Sequence, residues 1–488
     1  MKPSLKQYSV GLLLVLSLSI SAQAASDSLE RGKRAFESGK MRDAVTYFDQ
    51  AILSARSVSD RNLSYYYQGL ALFEMGYYFS AYRSFRMVLL KPDPKNKPVY
   101  GKAIKNAVVI MDRLNLVDRV GKLVVKLPGA YIPQELNHMV HYAAGVHHYS
   151  ENNFSAAESR LKSVNPESQF YLKALFYLGV IATRKKDYND AIVYFNKVAQ
   201  LSSNRRGSEV MEDLAKLNLA RSLYSRGKLE ASIEAFARFT SGSPFWLDVL
   251  LEASWPLMRM NDSTVSLGNL HTLTSPFYRE SLVGEAYVLK ATILFALCKY
   301  EEMRRTLNDF FEIYDPILRA MEKEKGVLDS PMAFFNAYTR KAGLNRAYVS
   351  VIDRDPGISH DLKVRELLQE ERMRLGVFAR MKTINAIKET LDKVIGYIST
   401  RVGKDLMSIH SRHLRQLVAQ REQANYLKVE IITGEKELIE KSKGLPAKRV
   451  TDVETKVFAG YHYWPFQGEY WEDELGSYVY TTESSCVD

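Results

Sequence analysis

The chain has 488 residues, 46% hydrophobic and 25% charged, a globular composition that excludes wholesale disorder. Its two cysteines exclude a disulfide-built scaffold and an all-cysteine zinc site. The net charge of +11 suits an acidic partner without demanding nucleic acid, and at ~150 residues per domain the length makes about three domains unless repeats form one array.

Residues 1–24 read as an address rather than as fold. Lys2 and Lys6 begin it, residues 10–20 are apolar apart from Gly11, Ser17 and Ser19, and Ala22-Gln23-Ala24 supplies the small residues signal peptidase needs. The run is shorter than the ~20 apolar residues of a comfortable span, and no later stretch is long and uncharged enough to cross a membrane. The expectation is a signal peptide cleaved after Ala24 and a periplasmic chain, with an uncleaved N-terminal anchor as the alternative. Export permits a bridge between Cys298 and Cys486, but Cys298 falls in a helical pattern where a free buried cysteine fits as well, and spacing does not decide.

A pattern then recurs: a small residue, a polar turn seven residues on, an Ala twelve on and a large apolar residue sixteen on. It reads Gly32, Gly39, Ala44, Phe48; then Gly69, Gly76, Ala81, Phe85; then Gly145, Asn152, Ala157, Leu161; then Gly179, Lys186, Ala191, Phe195; then Ala220, Gly227, Ser232, Phe236. The spacing predicts pairs of helices, A and B. The small residue lets helix A approach its partner, the turn residue reverses the chain, and the large residue is expected to fill the gap between neighbouring pairs. Degenerate pairs are expected near residues 99–127, around Ser254 and Asn261, and around Ala291 and Lys299, the last stopped by Pro316.

These residues resemble the tetratricopeptide repeat family, whose period of 34 separates Ala157 from Ala191. The resemblance covers about residues 27–316 and implies a helix-turn-helix solenoid with a concave face lined by the A helices. The family's lining positions fall here on Phe36, Tyr66, Phe73, Tyr142, Tyr149, Phe176, Arg184, Arg221 and Tyr224, together with Leu29. Aromatics and arginine dominate interface hot spots, so this groove implies a peptide or helix with apolar anchors and an acidic end. The alternative is that the chain's own segments fill it. Leu29, Tyr66, Tyr142 and Phe176 stand where the family's carboxylate clamp carries Lys or Asn, which argues against that specificity. His138, His141 and His148 share one helical face, but ten residues, or ~15 Å, separate the outer two, so packing rather than a metal is expected.

After Pro316 the repeat fades. Residues 361–400 carry the apolar stripe Leu367, Leu368, Leu375, Phe378, Met381, Ile384, Ile387, Leu391, Val394 and Ile398, and residues 404–443 carry Leu406, Ile409, Leu414, Leu417, Ala424, Leu427, Ile431 and Leu438. Spacings of three and four predict coiled-coil helices. They are expected to fold back as an antiparallel hairpin about Gly403; self-association through the same stripe is the alternative. Residues 457–488 hold nine aromatics and six carboxylates and no Lys or Arg. Such a segment is sticky if left exposed and is expected to dock. Trp464, Phe466, Glu469 and Trp471 are its candidate latch or recruitment residues.

The string from Trp464 to Tyr478 behind an exported repeat array resembles exported tetratricopeptide proteins of gliding and predatory bacteria, some associated with adventurous gliding machinery. That resemblance implies a scaffold among periplasmic and outer-membrane components. A competing reading makes Glu469, Glu472, Asp473 and Glu474 beside Trp464 and Trp471 a peptidoglycan- or glycan-processing site. However, adjacent acids on a short tail lack the scaffold that fixes a catalytic separation of ~5 Å or more, and no HExxH, GxSxG or P-loop spacing occurs. The sequence thus predicts an all-α chain: signal peptide 1–24, solenoid 25–316, helical coiled-coil region 317–445 and tail 446–488. It predicts a non-enzymatic scaffold for envelope proteins, without cofactor, metal or nucleic acid.

Overall fold

The computed structural model describes residues 26–203, 207–443, 469–480 and 484–486. The signal-peptide segment and the latch candidates Trp464 and Phe466 lie outside them. Every helical or strand element among the described residues is a helix. No described helix is long and apolar enough to cross a membrane.

The first sixteen helices pair in chain order. They are α1 (residues 26–37) with α2 (Met41–Ser54), α3 (Val58–Glu74) with α4 (Tyr78–Leu90), α5 (Lys97–Arg113) with α6 (Val117–Val124), and α7 (Asn137–Ser150) with α8 (Phe154–Lys162). They continue with α9 (Tyr171–Arg184) and α10 (Tyr188–Ser202), α11 (Glu209–Ser225) and α12 (Leu229–Phe236), α13 (Trp246–Arg259) and α14 (Ser263–Leu273), and α15 (Gly284–Ala296) and α16 (Tyr300–Val327).

One backbone device closes all eight pairs. The turn residue is left-handed each time: Gly39, Gly76, Asn115, Asn152, Lys186, Gly227, Asn261 and Cys298, with φ between 51° and 80°, seven residues after a Gly, Ala or Ser in every pair except the third, where Val108 holds that position. Its N–H and the next one donate back to the preceding helix, as in Gly76 to Phe73 O (2.9 Å) and Tyr77 to Leu72 O (2.8 Å). This is a Schellman-type C-cap, which satisfies carbonyls the helix end leaves open. The degenerate pairs thus keep the turn geometry after losing the glycine.

The reason for the small residue is equally concrete. A Cβ on Gly32, Gly69, Gly145 or Gly179 would stand 2.5 to 2.7 Å from Phe48, Phe85, Leu161 or Phe195, sixteen residues on. The large residue therefore packs first within its own helix pair. Phe48 also stacks on Tyr67 of the next pair at 5.7 Å, so the inter-pair role expected of it is the second of two. Where serine replaces the twelfth-position alanine, it hydrogen-bonds the small residue: Ser232 Oγ donates to Ala220 O and Ser266 Oγ to Ser254 O, each at 3.1 Å.

Contacts divide the chain into two compact units. The first holds the described residues to Leu201 together with His360–Ser399. In it, α19 (Pro356–Arg374) and the start of α20 (Lys382–Ser442) run antiparallel, tied by Arg372–Asp392 (2.9 Å) and Arg365 Nε to Ser399 Oγ (2.7 Å). Residues 375–381 make the reversal, so the hairpin turns there and not at Gly403. The stripe residues Leu368, Ile384, Leu391 and Ile398 are fully buried. The strap lies chiefly along the second helices of the pairs. Buried Glu371 accepts from Phe79 N–H (3.1 Å) and Ser80 N–H (2.7 Å), capping α4, whose own N-cap residue, Tyr77, supplies none. Thr383 donates to Asp49 of α2, and Arg119 of α6 lies 4.5 Å over the Tyr397 ring.

The second unit holds Ser202–Ser359 and the chain from Thr400. Here α16 continues through Pro316 to Val327, because Tyr314, Leu318 and Met321 extend one buried stripe past the proline. From Thr400 on, α20 runs antiparallel to α16: His410 Nε2 meets Glu324 (2.9 Å), Arg421 meets Asp315 (2.9 Å), and Arg304 meets Glu435 (2.6 Å). Gly403 is helical. Its missing side chain admits the N-terminus of α17 (Pro331–Thr339), which leads to α18 (Arg346–Asp353). Cys298 and Cys486 form a disulfide, with Cα atoms 5.0 Å apart.

Candidate partner-binding surface

The predicted lining residues separate into four groups, and Leu29 beside them is buried. Tyr66 and Tyr142 are buried, 9% and 2% exposed. Tyr66 packs on Phe85 (5.9 Å), and Tyr142 stacks on Phe170 (4.7 Å) while its hydroxyl donates to Asp112 Oδ1 (2.8 Å). Asp112 also pairs with Lys173 at 2.7 Å. The phenol of Tyr142 is held well above its usual pKa, by burial first and by the Asp112 charge next. These two side chains offer no free face, because Tyr66 is carried inward against α4 of its own pair and Tyr142 against Phe170 at the start of α9.

Phe36, Phe73 and Phe176 are half-buried, with Phe73 edge-on to Tyr78 (5.6 Å) and Phe176 edge-on to Phe195 (5.7 Å). Arg221 and Tyr224 lie in the second unit. There Arg221 forms a bidentate pair with Glu252 (2.7 and 2.5 Å), and Arg259 lies 5.5 Å over Tyr224.

Tyr149 and Arg184 build the strongest surface feature of the first unit. Tyr149, at the end of α7, stands edge-on to Tyr177 of α9 (5.1 Å) and tilted to Phe154 (5.9 Å). Arg184, exposed at the end of α9, lies 5.9 Å over Tyr149 and 5.7 Å over Phe154. Three half-exposed rings and one guanidinium thus face solvent from adjacent pairs. A cation over aromatic faces is worth ~0.5–1 kcal/mol at an exposed site and leaves outward N–H groups for a carboxylate. Tyr177 was not singled out from sequence. Its signal was available, since it stands two residues before Gly179, as Tyr67 stands before Gly69. Tyr67 makes the same kind of contact, with Lys33 5.4 Å from its ring.

The histidines beside this cluster serve other ends. His141 Nδ1 lies 3.5 Å from Arg160 Nη1, and burial, with Arg160 adding, holds its pKa below the usual value. Among the described residues no three His, Cys, Asp or Glu side chains are placed to hold a metal ion. A half-open cavity of about 300 Å³ lies between α2 and α3, walled by Ile52, Leu53, Val58 and Met87 with Arg61 and Lys91 at its edge.

The tail docks in the second unit on α14 and its neighbours. The contacts come from Tyr470, Tyr478 and Tyr480, whereas Trp471 is 41% exposed and Glu472, Asp473 and Glu474 form one exposed turn. Of the expected latch residues, Trp464 and Phe466 lie outside the described residues, and Tyr470, Tyr478 and Tyr480 were not among them. The rings that bury are those that reach His271.

Residues 173–204, in α9 and α10, match the family model described as tetratricopeptide repeat. No curated protein matches the chain. Similar solved structures include a tetratricopeptide repeat protein from Parabacteroides merdae, at 12% identity over 60% of this chain and 93% of that one, TM-score 0.29. They also include the TPR2AB domain of yeast Sti1 in complex with an HSP90 peptide, at 13% identity over 61% and 93%, TM-score 0.22. Yeast Tom70 aligns at 13% identity over 90% and 99%, TM-score 0.23. These loose likenesses carry no argument about partners. Residues 173–204 thus match one tetratricopeptide repeat, and the other helix pairs of the described residues repeat its Gly-to-ring packing or its turn.

Proposed function

We propose that this chain is an exported, non-enzymatic scaffold of a bacterial cell envelope. It captures an acidic, apolar-anchored segment of a protein partner on the A-helix face of its first unit. The observation that carries this reading is the Tyr149–Phe154–Tyr177–Arg184 cluster, three half-exposed rings under an exposed guanidinium on two adjacent helix pairs. Aromatic rings with an arginine are the composition of interface hot spots.

Charge supports the same partner. Residues 26–201 and 360–399 hold 33 Lys and Arg against 22 Asp and Glu, while the rest of the chain from residue 202 holds 32 against 34. A basic unit steers acidic partners and makes capture sensitive to salt. Periplasmic residence rests on the N-terminal address in residues 1–24, and a Cys298–Cys486 bridge accords with an oxidising compartment. The tail string's resemblance narrows the setting to gliding machinery.

The test is crosslinking capture from envelope fractions with the wild-type chain and with a Tyr149→Ala/Arg184→Ala variant. Loss of the same captured bands in the variant, at unchanged melting temperature, supports the surface. Identical capture rejects it.

A further inference from the structure

The tail is seated in the second unit as a peptide is seated in a receptor. Gly268, inside α14, admits its main chain: a Cβ there would stand 1.8 Å from the Tyr478 carbonyl oxygen. Gly476, at φ 84°, turns the segment against the ring of Trp246. Main-chain donors fix the register, Gly476 N–H to Thr272 Oγ1 (2.9 Å) and Tyr480 N–H to Thr264 O (3.3 Å).

Side chains add specificity. His271, 7% exposed, stacks on Tyr470 at 4.7 Å and meets Tyr478 edge-on at 5.1 Å. The Tyr480 hydroxyl donates to Glu302, and Lys290 lies 5.9 Å from its ring. The segment has open, non-helical ends about a six-residue turn at 472–477, and it is read through a backbone slot and three rings. Those are the means by which grooves read extended peptides. Beyond it, Ser485 N–H donates to Leu297 O (2.9 Å), and exposed Cys486 is bonded to Cys298 in the turn between α15 and α16.

We propose that the α13–α15 surface is a binding groove for an extended aromatic peptide of a partner, occupied in cis by the chain's own tail and locked by the Cys298–Cys486 disulfide. The peptide it takes carries an aromatic residue followed, eight and ten residues later, by two more. A dithiol reductant opens the lock. Its thiolate attacks Cys486 Sγ, Cys298 leaves as a thiolate, and the second thiol resolves the mixed disulfide. The chain gains two thiols, and the reductant leaves as a disulfide, having supplied two electrons and two protons. The groove is independent of the first unit's surface, so either proposal survives failure of the other.

The test uses a fluorescent peptide of residues 469–485 and the full chain. In an emptied chain, Tyr470, Tyr478 and Tyr480 are changed to Ala and both cysteines to Ser. The emptied chain is expected to bind the peptide saturably, at least a hundredfold more tightly than the oxidised wild type. Adding Gly268→Val or His271→Ala should abolish binding, and a peptide lacking the three tyrosines should not bind. Reducing the wild type should raise occupancy above the oxidised level. If the emptied chain does not melt cooperatively, the double serine variant with intact tyrosines takes its place, with peptide in excess. No binding to the open groove, or equal binding to the oxidised wild type, overturns the groove. Occupancy unchanged by reduction overturns the lock.

Discussion

Gly403 sits within the 61-residue helix α20, and a Cβ built on it would stand 2.0 Å from the carbonyl oxygen of Pro331. The contact is backbone against backbone, so no rotamer change relieves it. Gly396, seven residues earlier in the same helix, has nothing within 4 Å of the same position.

These two glycines make opposed predictions. Gly396→Ala should stabilise by ~0.5–1 kcal/mol, since alanine loses less entropy in a helix. Gly403→Ala should destabilise by ~1–3 kcal/mol despite the same propensity gain, because α17 must move. Thermal melts of the two variants check the pair, and a rise for both contradicts the packing described.

Lys186 holds φ 61° at a position where three of the eight turns carry glycine. A left-handed residue with a Cβ costs roughly 1–2 kcal/mol. Lys186→Gly is expected to recover about 1 kcal/mol, and Gly76→Ala to lose a similar amount, as read by denaturant midpoints at constant m-value.

The turn is also where the sequence was most legible. Gly, Asn and the Ala–Phe spacing marked the helix pairs because each residue meets a local need seven, twelve or sixteen positions away. The strap was less legible for the opposite reason. Gly403 reads as a bend when only local propensity is weighed, and the Pro331 carbonyl that requires it is 72 residues away. Pro316 reads as a stop until the buried stripe of Tyr314, Leu318 and Met321 is seen to continue past it. Tyr66 and Tyr142 carried the right residue type at lining positions, but Phe85 and Phe170, which bury them, come from other helices. The tail's anchors were hidden by composition, since Trp471 and Tyr470 look equally apt and only His271 distinguishes them.

Burial, with the Lys290 cation second, pushes His271 down to about 3 from 6.5. Below pH 6.5 the unfolded chain therefore takes up a proton that the folded chain refuses. Stability falls as pH drops from 6.5 towards 3, by at most ~1.4 kcal/mol per unit. His271→Phe keeps the stack on Tyr470 and removes the proton. Its stability should depend less on pH than the wild type's between pH 6.5 and 4, with the two converging above pH 7.5. Parallel pH profiles would contradict a buried neutral His271.

Tyr142→Ala should destabilise by ~3–5 kcal/mol, since it removes a buried ring and leaves Asp112 with Lys173 alone. Tyr142→Phe should cost ~1 kcal/mol. Urea unfolding separates the two. If Tyr142→Ala leaves stability unchanged, the ring is at the surface and belongs with the partner-binding residues after all.

The most direct test of the central claim is salt-dependent capture of envelope proteins by the wild-type chain and by Tyr149→Ala/Arg184→Glu. The account predicts that one set of acidic bands crosslinks to the wild type, weakens with rising salt and is absent from the variant, whose melting temperature stays within about 2 °C of wild type. The same bands on both proteins, at every salt concentration, would contradict a partner surface at Tyr149 and Arg184.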